Sequence, residues 1–155
     1  PYTTLFRSVI GDLSKPDVYR LARWGNEKHG CAIIPEEIFE IPASAELKPN
    51  QTDPFDYSVV GPIVSDYVEK GLSPRDLIEQ FESKTLDEEQ YMYNEQNIYE
   101  KYQATEFKEL VVDLFHRLNN SVYKRLQGAP IIVVSGRAFG FDLRETIING
   151  WQNNS

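Results

Sequence analysis

Three prolines, Pro35, Pro42 and Pro49, recur within one stretch and limit this chain more than any other feature. Each removes a backbone donor and pushes the residue before it away from helical backbone, so no regular helix runs through residues 34–53. The stretch is nonetheless not plain linker. Ile38, Phe39 and Ile41 can anchor its start, while Ser44, Lys48 and Thr52 carry hydrogen-bond donors. Long ordered loops of this kind are disproportionately functional. From the residues alone two readings stand: a Pro-rich surface crossing between two helices, or a ligand-binding loop.

With 155 residues, 41% of them apolar and 12% aromatic, the chain is at most one ordinary domain and can build a core. Its net charge of −8 argues against a nucleic-acid or anionic-membrane surface, whose affinity comes from Lys and Arg neutralising phosphate. A small anionic ligand stays open, because a local cluster of bases outweighs the global sign. The single cysteine, Cys31, permits no internal disulfide and points to a reducing, cytoplasmic setting. Cys31 lacks a His-and-acid pattern and reads as a packing residue. No apolar run approaches membrane-spanning length, and no signal-peptide pattern opens the chain.

Local chemistry marks the helices. Ser14 is a good N-cap, Pro16 and Asp17 suit a first turn, Val18, Leu21, Ala22 and Gly25 make one face, and Gly30 is the stop. Lys15 at that N-terminus is either a solvated lysine or an anion ligand assisted by exposed N–H groups. Tyr57 to Lys70 reads as a second helix ending at Gly71, and Ser73-Pro74-Arg75-Asp76 is a capping box for a third, with Leu77, Ile78 and Phe81 on its buried side. Thr85-Leu86-Asp87-Glu88 has the same capping pattern. It opens an acidic, tyrosine-rich segment, residues 82–103, that reads as a solvated helix, with a subunit contact through the tyrosines as the alternative. Thr105 should cap the clearest helix, with Phe107, Leu110, Val111, Leu114, Phe115 and Leu118 at helical spacing. His116 on it has no second ligand at metal spacing and reads as a surface histidine. Ile131 to Val134 could be a short strand or an extended segment, and Trp151 can anchor the end.

The motifs also resemble a known family. Ile34-Pro35-x-x-Ile38, then Pro42-x-Ser44-Ala45-Glu46-Leu47-x-Pro49-x-Gln51-x-Asp53, looks like the phosphate-binding second loop of NAD synthetase, the ligase that turns deamido-NAD into NAD. Gly11-Asp12-Leu13-Ser14-Lys15 precedes it; Tyr123-Lys124-Arg125-x-Gln127 and Arg137-Ala138-Phe139-Gly140 follow. One short motif is weak, but these stand in the family's order across most of residues 9–151, and the last pair most resembles the glutamine-dependent branch. Residues 1–8 match nothing in it and read as an unrelated leader or artefact.

The resemblance implies a parent with a Rossmann-like, parallel-sheet α/β fold of the adenine-nucleotide alpha-hydrolase type. This C-terminal segment, residues 9–155, would be mostly α-helical with a long loop and an extended tail. The family's Ser-Gly-Gly-x-Asp-Ser phosphate loop is absent from the sequence, so the segment alone should be inactive. It implies ATP, with Mg2+ in the substrate complex and its carboxylates elsewhere, deamido-NAD, and ammonia or glutamine as partners, in a homo-oligomer. Lys15 and Ser44 align with the family's ATP-binding lysine and hydroxyl residue. Lys124 aligns with its deamido-NAD-binding lysine, and Tyr123 stands where ammonia-dependent members carry His. Ala43 departs from a usual proline, one extra residue precedes Pro130, and Leu143 thins a basic pair. No catalytic base and no metal ligand is assigned. Another amidating or thiolating ATP pyrophosphatase, and a non-catalytic nucleotide-binding or dimerisation remnant, are the alternatives. Without the sheet they would cover, Leu110, Val111, Leu114, Phe115 and Leu118 are expected to stay partly exposed.

Overall fold

In a computed structural model of the chain, residues 9–42, 44, 48–92, 97–122, 128 and 130–138 are described. Tyr123, Lys124, Trp151 and residues 1–8 lie outside them. The described elements are helices: α1 Lys15–His29, α2 Glu37–Glu40, α3 Tyr57–Glu69, α4 Pro74–Glu82, α5 Ile98–Lys101 and α6 Ala104–Asn120. Among the described residues there is no strand beyond an isolated bridge at Ile131, in keeping with a mostly helical segment. None of the helices is long and apolar enough to cross a membrane. The chain divides into two compact units, Ser14–Tyr57 and the remainder.

The larger unit holds the core. Its helices start where short polar side chains can satisfy orphan N–H groups. Ser73 accepts from Asp76 N–H while Asp76 accepts from the Ser73 N–H, and Pro74 occupies the first helical position, which needs no donor. α3 ends at Gly71, whose φ of 71° is the left-handed conformation that glycine adopts without a Cβ penalty. α4 packs on α6, with Phe81 stacked on Phe107 at a centroid distance of 4.2 Å. Leu77 and Phe81 are buried as the pattern requires, while Ile78 is half-buried.

Several expectations are overturned here. Val111, Leu114, Phe115 and Leu118 are buried, because α4, the 98–102 segment and Tyr67 of α3 supply a helical core; Leu110 alone is partly exposed as expected. The acidic segment is not a solvated helix. Tyr91 and Ile98 are each 1% exposed and belong to that core. Tyr91 Oη donates to the buried Asp66 at 3.0 Å, Gln90 Nε2 donates to it at 2.9 Å, and Lys70 Nζ pairs with it at 2.8 Å. The Thr85 capping box does not form. Asp87 instead accepts from the N–H groups of Glu89 and Gln90 and closes a turn. α6 begins one residue before Thr105, and the Gln103 N–H donates to Glu106 Oε2 at 2.9 Å. His116 is an exposed surface histidine, 2.9 Å from Asn120 Nδ2.

The tail is held by a carboxylate rather than by a strand. Asp12 Oδ2 accepts from Val134 N–H at 2.7 Å, Ser135 N–H at 2.7 Å and Ser135 Oγ at 2.8 Å. Burial pushes the Asp12 carboxyl up, and the bonds from Ser135 and Val134 outweigh it, leaving the group below the usual carboxylate range. Ile132, Val133 and Val134 stay exposed in the extended segment.

Candidate functional site

The smaller unit, Ser14–Tyr57, carries the loop and the lysine. α1 forms because Ser14 caps it, accepting from Asp17 N–H at 3.3 Å, and Gly30 closes it at φ 64°. Asp17 also receives the Ser14 hydroxyl and pairs with Arg20, so its charge near the helix start has a counterion. No residue of α1 is buried; Leu21 is 44% exposed and Val18, Ala22 and Gly25 are half-buried. Its apolar stripe therefore does not enter a core within this unit. Cys31, expected to pack, is exposed.

The described residues of stretch 34–53 are held at several points. The Asn26 amide closes two bonds on Ile34: its Nδ2 donates to the Ile34 carbonyl at 2.8 Å, and its Oδ1 accepts from the Ile34 N–H at 3.0 Å. Phe39, brought round by the single turn of α2, meets Tyr19 edge-on at 6.0 Å and lies under the Arg23 guanidinium at 4.6 Å. Lys48-Pro49-Asn50-Gln51 is a β-turn with the Gln51 N–H on the Lys48 carbonyl at 3.2 Å. Pro49 presets its second residue, and Asn50 tolerates the φ of 57° at the third. Among the described residues, the buried Gln51 Oε1 has no hydrogen-bond partner. At the far end Asp53 accepts from Tyr57 Oη at 2.7 Å.

Of the residues singled out for binding, Lys15 stands exposed at the N-terminus of α1, its Nζ 5.6 Å from the centroid of the Tyr57 ring. Ser44 is half-buried in the loop. Lys124 and Tyr123 lie outside the described residues. Tyr57 is the electrostatically perturbed group: burial first, then the hydrogen bond and charge of Asp53, push its phenol up to about 12. The sequence offered Gln51 and Asp53 only as motif positions without a role, Tyr57 only as a helix start, and Asn26 not at all. For Asp53 and Tyr57 a signal existed, an acid and a tyrosine four residues apart where the loop meets a helix. For Asn26 there was none. Among the described residues no group of His, Cys, Asp and Glu could hold a metal ion. The unit contains a cation at a helix N-terminus and a hydroxyl-bearing, proline-shaped loop, residue types that suit recognition of an anion; no contact between Lys15 and Ser44 is among those described.

The family model described as NAD synthase matches residues 6–111. Among similar proteins, the glutamine-dependent NAD(+) synthetase of Thermotoga maritima is 37% identical over 92% of this chain, that of Xanthomonas campestris 33% over 97%, and that of Acinetobacter baylyi 30% over 97%. The chain spans 21–25% of the length of these curated relatives. No solved structure matches it. The chain belongs to the NAD synthase family.

Proposed function

We propose that this chain supplies the loop-bearing C-terminal part of the ligase region of a glutamine-dependent NAD synthase. In that reaction ATP adenylates the nicotinate carboxylate of deamido-NAD with release of pyrophosphate, and ammonia, drawn from glutamine, displaces AMP to leave NAD. The names of the relatives support the glutamine-dependent assignment. Lys15 and Ser44 bind the ATP phosphates, while Lys124, with Tyr123, binds deamido-NAD. Magnesium enters as part of the ATP complex, with its protein ligands in the family's Ser-Gly-Gly-x-Asp-Ser loop. The Rossmann-like sheet belongs to the same parent, which works as a homo-oligomer in the cytoplasm. These 155 residues alone make no NAD.

One observation carries the reading most. Lys15 sits at the N-terminus of α1, in the unit whose Pro-rich loop is pinned at Ile34, Phe39 and Asp53. Pyrophosphate leaving an adenylated carboxylate develops charge that an ammonium and backbone N–H groups stabilise. Hydrogen exchange with and without ATP and magnesium tests this. ATP should protect residues 40–53 and leave α4 and α6 unchanged; unchanged exchange across the loop would refute it.

A further inference from the structure

The motifs above give Tyr57, the first residue of α3, no role, yet the first residue of α1 and the last residue of the loop meet at its side chain. We infer that Tyr57 is a positioning residue for Lys15, with Asp53 as the partner that orients it. The inference rests on the reading of Lys15 as an ATP-phosphate ligand.

Four facts carry it. The Tyr57 ring lies 5.6 Å from Lys15 Nζ, within reach of the attraction between an ammonium and an aromatic face. The Tyr57 hydroxyl donates to Asp53 Oδ2 at 2.7 Å, which ties the ring to the loop end. Phe55 meets the same ring edge-on at 6.1 Å, so the ring is also supported from the segment that follows the loop. Among the described residues Lys15 makes no ion pair.

The chemistry of this arrangement is specific. A carboxylate paired directly with Lys15 would compete with phosphate for it. An aromatic face attracts the ammonium without neutralising it, so the cation is restrained and still available to an anion. The Asp53 carboxylate is occupied by the phenol. That phenol is protonated at neutral pH, as an ordinary phenol already is, and so donates to Asp53. Ordering of the loop end and placement of Lys15 are therefore one event, coupled through one ring.

The test uses the 155-residue chain, ATP–magnesium as the probe, and the variants Tyr57→Phe, Tyr57→Leu, Asp53→Ala, Asp53→Asn and Lys15→Ala. The Lys15 Hε resonances should lie upfield from the ring current, stay there in Tyr57→Phe and return to the exposed-lysine position in Tyr57→Leu. Tyr57→Phe and Asp53→Ala should each speed amide exchange at residues 48–56, with no further increase when combined. Asp53→Asn, whose amide oxygen still accepts from the phenol, should restore that protection. ATP affinity should fall about threefold in Tyr57→Phe and about tenfold in Tyr57→Leu. An unshifted Lys15 resonance, or additive effects of the Tyr57 and Asp53 changes, would overturn the positioning role even if Lys15→Ala abolishes ATP binding. Conversely, ATP binding unaffected by Lys15→Ala would overturn the ATP reading, whatever the Lys15 resonance does.

Discussion

Replacing Tyr91 by phenylalanine asks whether the acidic segment is part of the core. The ring remains, so no cavity opens. What goes is one hydroxyl, 3.0 Å from Asp66 Oδ2, in a place where Tyr91 is 1% and Asp66 2% exposed. The other carboxylate oxygen keeps Gln90 Nε2 at 2.9 Å and Lys70 Nζ at 2.8 Å. A hydrogen bond to a charged acceptor contributes about 1.5–3 kcal/mol, and water cannot replace this one at so buried an oxygen. Lys70→Met is the comparison, because the Lys70 side chain is 50% exposed and solvent screens its ion pair to about 1 kcal/mol or less. Urea unfolding at neutral pH should give a loss of about 2 kcal/mol for Tyr91→Phe with an unchanged slope, and a smaller loss for Lys70→Met. The alkaline limb gives a second reading. Burial first, then the charge and hydrogen bond of Asp66, hold the Tyr91 phenol far above its ordinary value of 10.0. The unfolded phenol ionises where the folded one does not. Its contribution is therefore complete below the ordinary value and is lost as pH climbs above it. Tyr91→Phe should thus lose stability less steeply above that pH than the wild type. A Tyr91→Phe variant as stable as the wild type at neutral pH would refute the core assignment.

Asp12 supplies the acid counterpart: its folded carboxyl lies below the ordinary 3.8, so the tail contact is fully present above that pH and is lost as pH falls through the depressed value. Amide exchange at Val134 and Ser135 should accelerate over that range and at all pH values in Asp12→Ala; protection there that ignores both changes would contradict the clamp. Cys31, exposed in the fold, should react with a thiol reagent in the native chain as fast as in urea, and slow native labelling would restore the packing reading.

What could be read from sequence follows the range of the interaction. Ser14, Gly30, Gly71 and the Ser73–Asp76 box act within one helical turn, and each ends or starts a helix where local chemistry places it. Thr85 and Thr105 fail for local reasons too: Asp87 accepts from the Glu89 and Gln90 N–H groups and closes a turn, and Glu106 accepts from the Gln103 N–H, so that α6 starts at Ala104. The burial of Tyr91 and Ile98 depends on partners distant in the chain, Asp66 above all, and no periodicity in an acidic segment announces it. The candidate site divides likewise. Lys15 and Ser44 are proposed from motif order alone, and Pro49-Asn50 carries its turn in its own residues. The Asn26 clamp on Ile34 and the Asp12 clamp on the tail are side chains answering backbone elsewhere, at separations that patterning does not reach. The apolar stripe of α1 was legible as a stripe; its exposure belongs to packing, which no stripe specifies.

The central claim, that Lys15 and Ser44 grip the ATP of an NAD synthase, is tested most directly by turnover in a chimera. Let this chain replace the matching segment of the Thermotoga maritima relative, and measure NAD formed from deamido-NAD, ATP, magnesium and ammonium. The chimera should make NAD. Lys15→Ala and Ser44→Ala should each slow it by about 30- to 900-fold, the rate equivalent of roughly 2–4 kcal/mol of lost transition-state contact. Cys31→Ala should leave the rate unchanged. A Lys15→Ala chimera that turns over at the parent rate at saturating ATP would contradict the claim.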